Sequence, residues 1–141
     1  MKAIALRYGD AFAPACGTIC AHRELLDKNG YVWYGKIGLG VSKKGVDAVK
    51  ESKHLLLIHS GKSDRYWLTV EEVSNNKPSS TDFPSYYADK TNHIKTWFKI
   101  TSIENAPSDI LSKCTLISNG RPLAEVSKSS MSPYFIINYE D

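Results

Sequence analysis

The stretch HLLLIHSGKSDRYWLTVEEV, residues 54–73, decides the fold class of this 141-residue chain. Residues 54–59 are a compact apolar run of strand length, and the lack of alternation is typical of a strand covered on both faces. Residues 60–64 are polar and contain a glycine, which predicts a turn. Residues 65–73 are rich in aromatic and β-branched side chains, so they predict a second strand. We therefore expect a β-hairpin here.

Further strands and short helices flank this hairpin on both sides. Asn29-Gly30 is a good helix stop, Ser42 can cap a helix, and Asn119-Gly120 predicts a type I′ hairpin turn. The longest candidate loop covers residues 74–84, which are rich in Asn, Ser, Pro and Asp. The predicted elements are strands over 2–7, 31–38, 93–103, 114–118 and 134–139, helices over 19–28 and 43–52, and one or two helical turns over 107–113.

The element count predicts one α+β domain over residues 1–141. A chain of this length can form one hydrophobic core without disulfides, and no linker or repeat divides it. Six or seven short strands with two or three short helices indicate a mixed sheet. We expect that sheet to curl into a partly closed barrel, a small mixed β pseudo-barrel.

Charge and composition limit the possible partners. Residues 1–65 carry a net charge of +5 and residues 66–141 carry −2, so the basic half is compatible with phosphate contact, although an uneven solvated surface would give the same balance. Three cysteines do not make a disulfide framework. No apolar stretch approaches a membrane span, and the first residues are too short a run for a signal-peptide core. We expect a cytoplasmic location and no membrane partner.

Alternation along three predicted strands places an aromatic side chain beside a cation, on the face away from the more apolar set. On the strand over 31–37, the same alternation turns Trp33 towards the core. Stacking on aromatic rings tolerates any base, and neighbouring cations contact phosphate, so such a face suits single-stranded nucleic acid. Alternatively, helices cover this face and the tryptophans belong to the core. The pairs are Trp97 with Lys95 and Lys99, Trp67 with Arg65, and Tyr34 with Lys36.

Three segments together resemble the PUA-like superfamily. They are Gly30-Tyr31-Val32-Trp33-Tyr34-Gly35-Lys36, the hairpin 54–73, and Thr96-Trp97-Phe98-Lys99-Ile100. The resemblance covers about residues 30–103 and is closest to the EVE and YTH-like branches. It implies a pseudo-barrel whose aromatic-lined pocket reads a nucleobase, often a modified one. EVE-type domains often occur in bacterial or phage-related restriction systems, so it also implies a defence context.

The main hypothesis is therefore a nucleic-acid-binding module with DNA or RNA as partner and no cofactor. Tyr86 joins the site as one of two tandem tyrosines after the long loop, which either close over a ligand or pack the loop onto the sheet. Lys62 joins it from the turn after residue 59. The expected nucleobase contacts are Trp97, Trp67, Tyr34, Tyr86 and Trp33, and the expected phosphate contacts are Lys36, Arg65, Lys95, Lys99 and Lys62.

Two other functions compete with this hypothesis. The same pocket would suit a protein that sequesters a small nucleotide second messenger in a defence or counter-defence system. The ASCH-like branch of the superfamily implies instead a small nucleoside hydrolase, for which Lys36, Thr69 and Glu71 are the nearest residues by type.

A metal or nucleophile site is disfavoured. Cys16, Cys20 and His22 offer three ligands, but structural zinc sites usually show two paired clusters. Cys114, His54, His59 or His93 would have to supply the fourth. We expect Cys16 and Cys20 to be small buried residues instead, and we predict no metal site. Since no orienting acid or oxyanion loop accompanies a cysteine–histidine pair, we predict no catalytic residue.

Overall fold

A computed structural model describes residues 1–59 and 61–140. The described chain is an α+β domain with a mixed sheet, as predicted. The strands are β1 (Lys2–Tyr8), β2 (Val32–Ile37), β3 (His54–His59), β4 (Arg65–Ser74), β5 (Ile94–Asn105), β6 (Cys114–Leu116) and β7 (Tyr134–Tyr139). The helices are α1 (Thr18–Asn29), α2 (Lys43–Ser52) and α3 (Leu123–Ser129), and 3₁₀ turns cover Ser85–Tyr87, Thr91–His93 and Ile110–Lys113.

The seven strands form one sheet in the order β2-β5-β4-β3-β1-β7-β6. β1 and β3 are parallel, and the other neighbours are antiparallel. β3 and β4 form the predicted hairpin, whose turn includes Ser60, a residue outside the described set. Within the described ranges the edge strands β2 and β6 do not pair, so the sheet is not closed. Two register shifts between Thr69 and Glu72 bend the long β4–β5 ribbon.

Both faces of the sheet are covered, as the unalternating run over 54–59 predicts. Leu55 and Leu57 face the main core, beneath α1 and α2. Leu56 and Ile58 face a second cluster, beneath α3 and the 3₁₀ turn over Ile110–Lys113. A third cluster lies against β2 and β5, where the segment over 83–87 covers the sheet on the side opposite the main core.

Local signals position the first two helices. α1 ends at Gly30, which adopts the left-handed conformation with φ of 80° and donates its N–H to the Leu26 carbonyl. The Ser42 hydroxyl accepts a hydrogen bond from the Gly45 N–H at the start of α2. The helix stop and the helix cap predicted from the sequence are both confirmed.

The chain turns back at Asn119-Gly120 as predicted, with the Leu116 N–H donating to the Arg121 carbonyl, but the type I′ geometry is wrong because only Gly120 of the two has a positive φ. β6 ends at Leu116, and beyond the turn a single bridge joins Thr115 to Pro122. The chain then enters α3 directly, because a proline just before a helix needs no N–H of its own and cannot extend an antiparallel ladder.

The side assignment on β2 is also wrong. Tyr34 packs in the main core with Val32, whereas Trp33 lies in the third cluster on the opposite side. Period-two alternation separates the two sides of a strand but does not say which one is the core when both are covered.

Candidate nucleic-acid interface

A small pocket opens where β1 ends and the chain turns into α1. Its volume is about 160 Å³, which gives room for one base rather than a duplex. The loop over residues 9–13 forms one wall, the middle of β2 forms the floor, and the 3₁₀ turn over Ser85–Tyr87 forms the other wall. The predicted nucleobase contacts Tyr34 and Tyr86 both lie in it.

Tyrosines are the commonest residues in the lining of the pocket, four of the eleven. Tyr8 and Tyr34 are almost fully buried, and Tyr86 is half-buried. Burial is the main cause that raises the pKa of all three phenols, so they keep their protons at neutral pH. Tyr87, the second tandem tyrosine, also lines the pocket, but it packs against Phe83 and Trp97 beneath the segment. Tyr86 is the more exposed of the two, and Tyr87 anchors the loop to the sheet.

A buried hydrogen-bond chain supports the floor of the pocket. The Gly35 N–H donates to the Tyr87 hydroxyl at 3.3 Å, and that hydroxyl donates to His22 Nε2 at 3.0 Å. His22 Nδ1–H donates in turn to the Thr18 carbonyl at 2.7 Å. Burial lowers the pKa of His22 to about 4, so the ring is neutral and this tautomer satisfies every partner.

Asp10 and His59 fix the loop after β1. The Asp10 carboxylate accepts the Thr18 N–H and the His59 Nε2–H, each at 2.9 Å. The bond from Thr18, and after it the bond from His59, lowers the pKa of Asp10. His59 Nδ1 accepts the Gly61 N–H at 2.9 Å, so this imidazole has both ring nitrogens engaged. The pair therefore positions the loop.

The outer rim of the pocket carries an exposed aromatic beside a cation. Phe12 lies on the loop wall and is 59% exposed. The Lys90 ammonium lies 4.7 Å from the centre of its ring. An aromatic side chain beside a cation was predicted on three strands. Strand alternation does not indicate Phe12 and Lys90, because both residues lie outside strands.

A basic hollow of about 420 Å³ lies across the ends of β1 and β3 from the pocket, on the other side of the sheet. Lys62 and Arg65, two of the predicted phosphate contacts, line it together with Arg7 and His59. The Arg7 guanidinium already donates to three carbonyls at the end of α3, those of Ser127, Ser130 and Ser132. Lys62 is exposed, and the half-buried Arg65 donates to one carbonyl only, that of Ser63 at 2.8 Å, so Lys62 and the rest of the Arg65 guanidinium are what the hollow offers to a ligand.

His59 joins the hollow to the pocket. Its ring lines the hollow and meets the Tyr8 ring edge-on, with 4.9 Å between the ring centres. Tyr8 in turn lines the pocket. A ligand with a base in the pocket and a phosphate in the hollow would cross this one histidine.

The predicted tryptophans lie elsewhere. Trp97 is fully buried in the third cluster, where Trp33 also lies. Trp67 packs against Tyr139, with 5.3 Å between ring centres, beside the second cluster. The structure therefore does not bring Trp97, Trp67 and Tyr34 to one concavity. The face expected to be open on β5 is covered by the segment that includes Phe83 and Tyr87.

Three predicted phosphate contacts lie on β2 and β5, outside the hollow. The Lys36 side chain is 5% exposed, and its ammonium donates to the Leu39 carbonyl near the Tyr134 ring. Lys99 lies 3.5 Å from Glu71 and 4.7 Å from the centre of the Tyr31 ring. Lys95 is exposed on β5.

The three residues that the hydrolase alternative would use, Lys36, Thr69 and Glu71, each contact different partners. Lys36 contacts Leu39 and Tyr134, and Glu71 faces Lys99. The Thr69 hydroxyl accepts from Ser102 Oγ at 2.7 Å. These different partners give no shared polar centre from which the three could act on one substrate.

The expectation that Cys16 and Cys20 are buried is wrong, because Cys16 is exposed and Cys20 is half-buried. His22 points away from them into the core, where it meets Tyr87. Both thiols meet Glu24 instead, and Cys114 is buried in the second cluster.

The fold and the site define a small α+β module with an aromatic pocket and an adjacent basic hollow. The model of the Pua-like family matches residues 4–132, so the chain belongs to the PUA-like family. PUA-like domains are, as a class, nucleic-acid-binding modules. Neither the curated proteins nor the solved structures include a significant match. In residues 1–59 and 61–140 no helix is long and apolar enough to cross a membrane.

Proposed function

We propose that this protein binds single-stranded nucleic acid, or a nucleotide flipped out of a duplex, with one base held in the tyrosine-lined pocket. The observation that carries the proposal is the contact between His59 and Tyr8, which places the pocket beside the basic hollow. A base and its phosphate are joined by a sugar, so a site for both needs this adjacency.

The pocket selects a base by stacking and by polar contacts. Tyr86 is the aromatic wall with the greatest exposure among the three phenols, and it is the natural stacking platform. The neutral phenols can donate and accept hydrogen bonds, as recognition of a base edge requires, and the Thr18 hydroxyl, which donates to the Gly9 carbonyl, can only accept. A modified base would enter the same space.

The rim and the hollow bind the rest of the strand. Phe12 offers a second stacking surface outside the pocket, and Lys90 lies close enough to meet the phosphate of that neighbouring nucleotide. Lys62 and Arg65 meet a phosphate on the other side of His59. The bound strand then runs from the basic hollow, across the pocket, to the rim formed by Phe12 and Lys90.

Fluorescence anisotropy with labelled single- and double-stranded DNA and RNA at low salt tests the proposal. Removing the ring in Tyr86→Ala should weaken single-strand binding about tenfold, since stacking contributes about 1–3 kcal/mol per base. Trp67→Phe, which changes an aromatic residue at the Tyr139 contact, is the matched control and should bind like the wild type. Undetectable binding to every nucleic acid at low salt would overturn the proposal.

The small volume of the pocket also favours a second candidate, a binder of free nucleotides. A single base fills about the space available, so a mononucleotide could occupy the site without a strand. Thermal-shift measurements separate the two functions, because a ligand that binds only the folded state raises the Tm. A rise with mononucleotides or cyclic nucleotides, without oligomer binding, would favour the second candidate.

A further inference from the structure

Two cysteines and a glutamate converge on the outer surface at the start of α1. The Cys20 thiol lies 3.6 Å from Glu24 Oε1, and the Cys16 thiol lies 3.9 Å from the same oxygen. All three donor atoms lie within 4.8 Å of one another. The spacing of four residues places Cys20 and Glu24 on the same side of α1, and Cys16 approaches them from the chain just before the helix.

The two sulfur–oxygen distances, 3.6 and 3.9 Å, are close to the edge of a metal-centred tetrahedron. Bond lengths of about 2.3 Å to sulfur and about 2.1 Å to oxygen place two such ligands about 3.6 Å apart on a tetrahedral edge. The cluster therefore needs only small side-chain movements to surround an ion. Two thiolates and one carboxylate are a donor set for zinc or a similar thiophilic cation, and magnesium and calcium prefer oxygen alone.

The electrostatics of the cluster also favour a cation. Among the described residues no lysine or arginine pairs with Glu24, whose contacts here are the two thiols. A divalent ion at this position would neutralise the Glu24 carboxylate and stabilise the two thiolates.

We propose that Cys16, Cys20 and Glu24 form a surface site for a thiophilic divalent cation such as Zn²⁺. Each thiol releases one proton to solvent as its sulfur–metal bond forms, and the fourth position stays open to water. Cys16 lies at the end of the loop that forms a wall of the pocket, so the ion also ties that loop to α1. The site is independent of the proposed function.

Titration of the reduced full-length chain with Co²⁺ tests the site, because tetrahedral thiolate ligation gives intense visible and near-ultraviolet absorption. The wild type should develop both bands with one equivalent of Co²⁺, and Zn²⁺ should remove them. Cys16→Ser and Cys20→Ser should each lose most of the thiolate band. Cys114→Ala, which removes the buried cysteine of the second cluster, is the matched control and should keep it.

A second measurement distinguishes a metal site of the folded protein from non-specific metal binding by exposed thiols. Zn²⁺ should raise the Tm of the wild type, and Glu24→Gln, which keeps the size of the side chain, should cut affinity about tenfold or more. Absence of the Co²⁺ bands in the wild type, or bands unchanged in Cys16→Ser and Glu24→Gln, would overturn the proposal.

Discussion

At the scale of the residue, His22 couples stability to pH in the acidic range. It is neutral between the Thr18 carbonyl and the Tyr87 hydroxyl, and burial lowers its pKa from 6.5 to about 4. The unfolded chain takes up a proton at higher pH than the folded chain does. The stability that the neutral His22 contributes is therefore fully present above pH 6.5, the pKa of the unfolded chain, and it is lost as the pH falls from 6.5 towards 4.

We predict a loss of about 3 kcal/mol across this range, since each pKa unit corresponds to about 1.4 kcal/mol. Urea unfolding of the wild type at several pH values measures the slope, and His22→Gln should flatten it. His93→Gln, at an exposed histidine, is the control and should keep the wild-type slope. Asp10 does not account for a loss of stability between pH 6.5 and 4. Folding lowers the pKa of its carboxyl, so the stability that Asp10 contributes is lost only as the pH falls below the unfolded pKa of 3.8. Equal slopes in all three proteins would contradict the prediction.

How well the sequence predicted whether a candidate residue is exposed or buried depended on where the chain placed it. Lys62 and Arg65 flank a polar turn, and a turn between two strands lies at the surface in nearly any packing. Trp97 was placed on an open face from alternation alone. The segment that covers it lies ten to fourteen residues upstream in the sequence, and no local pattern indicates where that segment docks.

At the scale of the element, the packing of β2 on β5 depends on a glycine. A Cβ on Gly35 would lie 2.9 Å from two side-chain carbons of Ile94 and 3.0 Å from the Trp97 ring. Both neighbours belong to the buried third cluster, so neither has free space into which it can move.

We predict that Gly35→Ala destabilises the protein by about 1–3 kcal/mol, the usual cost of overpacking a core. Urea or thermal unfolding measures the effect. Gly61→Ala is the control, because a Cβ there would meet only the His59 ring at 3.8 Å, an ordinary contact. Similar stability in Gly35→Ala and the wild type would show that β2 shifts freely against β5.

The elements with strong local signals were the ones predicted from the sequence. α1 and α2 have a glycine stop and a serine cap, and β3 has an unbroken apolar run. α3 was missed because it has only seven residues, follows a proline and has no side-chain cap. Strand order was beyond local reasoning, since the parallel pairing of β1 with β3 joins residues about fifty positions apart.

At the scale of the whole molecule, the pocket and the hollow lie on opposite sides of the sheet, where β1 and β3 end. Tyr8 of the pocket belongs to the main core side, and Ile58 of the hollow belongs to the side of the second cluster. A bound strand must therefore cross the end of the sheet at His59. Its base contacts and its phosphate contacts are then separable by mutation.

Salt dependence distinguishes these two kinds of contact. Each neutralised phosphate of a single strand contributes about 0.7 to the slope of log K against log salt concentration, so Lys62→Ala with Arg65→Ala should reduce the slope by about 1.4. Tyr86→Ala should lower affinity at every salt concentration and leave the slope unchanged, because a stacked ring releases no counterions. The control is Lys50→Ala with Lys77→Ala, two exposed lysines outside the hollow. Anisotropy titrations at four or more salt concentrations measure the slopes. An equal loss of slope in the control pair would mean that phosphate is held by the overall charge rather than by the hollow.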